Sequence, residues 1–152
     1  MTDFRNADEV LNFAITREEE AARFYEEQAE KMNRPETRQI FLDFAKEEII
    51  HRQKLLAIKD GKLGLPSAQR VADMKIADYQ SQTPQVGPYM TYADMLTVAM
   101  KKEKEAFRLY TDLAAVVGSD ELRAVFQSLA AEEARHKLRF ELEYDKEVYS
   151  EN

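Results

Sequence analysis

Cysteine is absent from the 152 residues, and glycine and proline occur only four times each. Without cysteine the chain can form no disulfide, no zinc–thiolate site and no thiolate-held iron centre. The scarcity of glycine and proline leaves few natural stops, which favours long helices over a turn-rich β architecture. No run approaches the ~20 consecutive apolar residues of a membrane-spanning helix. The opening MTDFRNADEV lacks the apolar core of a signal sequence, so cytoplasm is the expected compartment. A basic excess is missing too. The formal net charge is −7, which disfavours nucleic acid and anionic membrane as partners, since both are bound by clustered lysine and arginine.

What is present is a mixture of 44% apolar and 34% charged residues, the composition of a folded helical domain and not of a disordered chain. The length suits one domain, 1–152, able to bury its own core. Asn6-Ala-Asp-Glu9 reads as a helix start, and apolar residues recur at helical spacing from Val10 to Met32. Pro35 stops that helix and opens the next, because its missing N–H costs nothing at a first helical position. The second stripe runs from Ile40 to Ile58, with Gly61 as the expected stop. So short a link implies an antiparallel hairpin. Residues 60–91 hold three of the four glycines together with Pro84 and Pro88, and read as a long crossover with a short helix around Gln69–Tyr79. Thr91-Tyr-Ala-Asp94 starts a third long helix, whose stripe takes in Leu96, Met100, Phe107, Tyr110 and Leu113 and ends at Gly118. Ser119-Asp-Glu starts a fourth. The expected fold is all-α: a four-helix bundle of two antiparallel hairpins joined by the crossover.

The two hairpins, roughly 7–59 and 91–149, are copies. Glu48 and His51 lie three apart, as do Glu133 and His136, and these are the only two histidines. Upstream, Glu18 and Tyr25 correspond to Glu103 and Tyr110, and every one of these pairs is offset by 85 positions. Residues three apart share a helix face, so each Glu-x-x-His can reach one point. Both pairs occupy slots of the apolar stripe: Phe44 and Leu55 flank one, Leu129 and Phe140 the other. A carboxylate buried without a counter-charge costs several kcal/mol even after relaxation, and four together would repel one another. Two divalent cations would cancel four carboxylates, and two imidazoles would complete one ligand set for each. One Glu from each of two helices and a Glu-x-x-His from each of the other two is the ligand pattern of two-metal sites in helical bundles.

The doubled Glu-x-x-Ala-x-x-x-Tyr and Glu-x-x-His, spread over all four helices, resembles the rubrerythrin branch of the ferritin-like superfamily. The resemblance implies a ferritin-like fold and a centre of two iron ions, with manganese or zinc able to replace them. It implies metal ligation by Glu18, Glu48, His51, Glu103, Glu133 and His136, with Glu48 and Glu133 bridging, one histidine on each metal, and Tyr25 and Tyr110 donating to ligand carboxylates. The implied activity is reduction of O2 or H2O2 with electrons from a separate donor protein. The chain departs from the pattern in having no cysteine-bearing iron domain and in carrying Ala106 where the family's peroxidases place an extra carboxylate. Two further readings fit the same ligands: iron handling as a ferroxidase, and a non-redox module holding zinc, which such donors bind more tightly than iron. Tyr144 and Tyr149 near the end point either to a homodimer surface or to packing on the crossover.

Overall fold

The computed structural model describes residues 4–80, 87 and 90–150. All regular structure among them is helical: α1 (Ala7–Lys31), α2 (Pro35–Gly61), α3 (Ala68–Val71), a 3-10 turn at Ile76–Asp78, α4 (Tyr92–Val116) and α5 (Asp120–Ser150). Contacts group residues 4–72 and 73–150 into two compact units, each built on one antiparallel hairpin.

In the first unit α1 packs along α2. Asn6 caps α1 by accepting from the Glu9 amide, and Glu9 in turn accepts from the Arg5 amide at 2.7 Å. The bonds from the Arg5 amide and the Arg5 guanidinium lower the pKa of the Glu9 carboxyl. Pro35 is the first residue of α2, and Arg38 closes the link by donating to the Met32 carbonyl. Val10, Leu11, Ala14 and Tyr25 of α1 are buried, as are Phe41, Phe44, Ala45 and Leu55 of α2. The stop of α2 differs from expectation. Gly61 is still helical, and the left-handed turn falls on Lys62 at φ 56°. The helix thus ends on a residue whose Cβ makes that conformation unfavourable.

In the second unit Thr91 and Asp94 form a reciprocal capping box at the start of α4. Ser119 accepts from the Leu122 amide at the start of α5, and Arg123 reaches back to the Ala114 carbonyl across the hairpin link. Leu96, Ala99, Leu109 and Leu113 of α4 and Phe126, Leu129 and Phe140 of α5 are buried. Phe107 is the exception to the expected stripe: it lies 40% exposed on the outer side of α4.

The crossover holds two short pieces instead of one helix, and Pro84 and Pro88 lie outside the described residues. Its second piece is tied to α4. Tyr79, only 2% exposed, donates to Asp112 at 2.7 Å, and Asp78 pairs with Arg108 at 3.3 Å. Among the described residues no helix is long and apolar enough to cross a membrane.

Candidate metal centre

Each hairpin carries the same three buried donors. In the first, Glu18 on α1 and Glu48 and His51 on α2 are 2%, 1% and 1% exposed. His51 turns Nδ1 towards both carboxylates, 3.2 Å from Glu48 Oε1 and 3.6 Å from Glu18 Oε2. In the second, Glu103 on α4 and Glu133 and His136 on α5 are 1%, 0% and 0% exposed, with His136 Nδ1 3.6 Å from Glu103 Oε1. Within each triad, one ligand atom from every residue lies within 4.8 Å of the others.

The local cause is helical register. A spacing of three positions puts glutamate and histidine of α2, and of α5, on one face, and the antiparallel partner helix brings its glutamate alongside. Phe44 and Leu55 enclose the first triad along α2, and Leu129 and Phe140 the second along α5, all buried. Two carboxylates held this close in an apolar setting repel each other when charged and gain from a cation between them. Carboxylate oxygens and a single imidazole nitrogen per triad are donors suited to iron, manganese or zinc. The residues therefore fit a metal.

Tyr25 and Tyr110 are as buried as the acids, at 0% and 1%. Tyr25 is wedged between Phe41 and Phe44, each with ring centroids 6.1 Å from its own, and Tyr110 stacks on Phe126 at 6.2 Å. These contacts fix both rings. Neighbouring glutamates take other roles: Glu19 lies partly exposed and accepts from Arg52 at 2.8 Å. Sequence reasoning placed the eight central residues inside, where they are. It missed the Tyr79–Asp112 and Asp78–Arg108 ties, for which helical periodicity carries no signal, because one partner of each lies in irregular chain.

Residues 9–144 match the family model described as Rubrerythrin. The chain belongs to the rubrerythrin family. No curated protein matches this chain. Among solved structures, it is similar to a Thermotoga maritima protein described as ferritin-like and diiron-carboxylate, at a TM-score of 0.77 and 22% identity over 95% of this chain and 98% of that one. A hypothetical protein of Pyrococcus furiosus is similar at a TM-score of 0.72 and 23% identity, over 94% and 90% of the two chains. At these identities the likeness shows the fold, which is ferritin-like and all-helical, as the sequence implied. Family and buried triads together support a metal centre in this chain.

Proposed function

We propose that this protein is a non-haem diiron oxidoreductase that reduces H2O2 or O2 with electrons from a separate carrier protein. The observation that carries the reading is the repetition, at an offset of 85 residues, of a buried triad of two glutamates and one histidine. A chain that needed a single buried polar cluster for packing would have no reason to keep both. In this reading Glu18, Glu48 and His51 supply one half of the ligands and Glu103, Glu133 and His136 the other. Two iron ions, when bound, supply the redox chemistry, in which H2O2, two electrons and two protons become two waters.

The protein's own contribution is positional and electrostatic. The triads hold carboxylates in place before metal arrives, so little ordering is needed on binding. His51 and His136 present Nδ1 to the metal side. Phe44, Leu55, Leu129 and Phe140 keep the surroundings apolar, which strengthens every charge–charge interaction within. Tyr25 and Tyr110 hold a phenolic proton on a rigid ring close to the ligands in sequence and donate it to a ligand carboxylate. The absence of a third-helix carboxylate at Ala106 leaves the choice between peroxide and oxygen to the rate each achieves.

The test is anaerobic loading with ferrous iron followed by optical titration with H2O2 and, separately, O2. Rapid single-turnover oxidation at about one H2O2 per two irons supports the reading. Oxidation of many irons per chain with retention of mineral would replace it with iron storage. Protein that isolates with zinc and takes up no iron would replace it with a redox-silent site.

A further inference from the structure

The outer side of the α4–α5 hairpin carries a depression of about 370 Å³ whose lining includes Phe107, Thr111, Ala115, Gln127 and Ala131. None of its lining residues is acidic, and Arg123 at one end is paired with Asp120. The other end is the cationic one. Lys104 lies one turn from Phe107, and Arg135 one turn from Ala131; both are exposed. Lys101 continues the row along α4, and exposed Leu138 extends the apolar part along α5.

The duplicated sequence supplies an internal control. The hairpin 85 residues earlier has Glu19 for Lys104, Ala22 for Phe107, Glu26 for Thr111 and Glu30 for Ala115. It has Lys46 for Ala131 and Ile50 for Arg135. The same helical positions carry three glutamates against one lysine in one copy; in the other they carry no acid, with Lys104 and Arg135 at one end. On a chain of net charge −7 this distribution is not a by-product of composition. An apolar surface bordered on one side by Lys101, Lys104 and Arg135 complements an acidic protein surface with an apolar part, and charges of this kind steer encounter. A second copy of this chain, bringing the same positive face to face, would be repelled.

We infer that the Phe107 face of α4–α5 docks the acidic one-electron carrier protein that reduces the metal centre. The inference rests on the diiron reading above, since it names the partner of that site. Phe107 is four residues from Glu103 and three from Tyr110 on the same helix, so a carrier seated there lies one helical turn from a proposed ligand. Each docking event passes one electron from the reduced carrier to the centre. Two such events, with two protons from solvent, convert one H2O2 to two waters and leave two oxidised carriers.

The probe is a plant-type [2Fe–2S] ferredoxin chosen for its net negative charge. Isothermal titration of the protein as isolated should show binding at about 20 mM salt that weakens at least 10-fold by 200 mM. Lys104→Glu combined with Arg135→Glu should weaken it a further 10-fold or more. So should Thr111→Glu with Ala115→Glu, which installs the residues the sister hairpin already tolerates. Stopped-flow reduction of the iron-loaded, oxidised protein by reduced ferredoxin should slow in parallel, while reduction by dithionite and bound iron stay at wild-type values. Control reversal on the sister face, Arg23→Glu, should change neither. Binding that ignores salt and these substitutions overturns the proposal, as does a face found covered by a second copy in sedimentation at the same salt. Salt-dependent binding at the Phe107 face without electron transfer, while dithionite still reduces the bound iron, also overturns the proposal; protein that takes up no iron yet binds ferredoxin there removes the diiron reading instead.

Discussion

Replacing Tyr79 by phenylalanine isolates the tie between the crossover and α4. The ring is 2% exposed and stays in place, so the substitution removes only the hydroxyl that donates to Asp112 at 2.7 Å. Hydrogen bonds to an ionised partner contribute about 1.5–3 kcal/mol when well buried. Asp112 is partly exposed, so water replaces some of the loss, and about 1–2 kcal/mol is expected. At 2–4 °C per kcal/mol for a chain of this size, the melting temperature should fall by roughly 2–8 °C. The pH dependence is the sharper test. Burial, with the bond to Asp112 and its charge, raises the Tyr79 pKa above 10 in the folded state. A raised pKa means the folded state holds the proton more tightly, so the stabilisation is complete below the unfolded value near 10. It is lost as pH climbs towards the folded value, by up to about 1.4 kcal/mol per unit. Urea unfolding followed by circular dichroism at pH 8 should separate wild type from Tyr79→Phe by 1–2 kcal/mol, and the gap should shrink by about 1 kcal/mol between pH 10 and 11. A gap below about 0.5 kcal/mol at pH 8, or one that widens with alkali, would show that Tyr79–Asp112 does not hold the crossover.

Glu48→Ala or Glu133→Ala should cut bound iron to half or less of wild type in elemental analysis while the helical circular dichroism persists; full loading in either variant would refute the ligand assignment. Tyr25→Phe and Tyr110→Phe should each weaken iron binding by about 10–100-fold in competition with a chelator, the range for removing a group that orients a ligand. Thr91→Ala breaks the capping box of α4 and should cost about 1 kcal/mol in urea unfolding. Lys62→Gly, which relieves the left-handed residue at the end of α2, should instead stabilise by roughly 0.5–1 kcal/mol.

Much of this protein was readable before any coordinates. Pro35, Asn6, Thr91 and Ser119 mark helix starts through chemistry confined to four or five adjacent residues, and each acts where local reasoning put it. The triads were readable because duplication repeats the same glutamates, histidines and tyrosines at a constant offset, and because charged residues in apolar slots are too costly to be accidental. Local chemistry failed where a distant segment decided the outcome. Periodicity put Phe107 in the core, since it counts apolar residues at helical spacing and is blind to where the packed face ends. Gly61 was the obvious stop for α2, yet the left-handed turn settled on Lys62. Nothing in residues 60–91 announces that Tyr79 reaches Asp112 thirty-three positions away. The amino-acid order by itself determined the helices, their caps and the identity of the buried donors, because each depends on neighbours within one or two turns. Only tertiary structure decided which nitrogen of each histidine meets the carboxylates, which aromatic faces solvent and what anchors the crossover, because those depend on side chains brought together from separate elements.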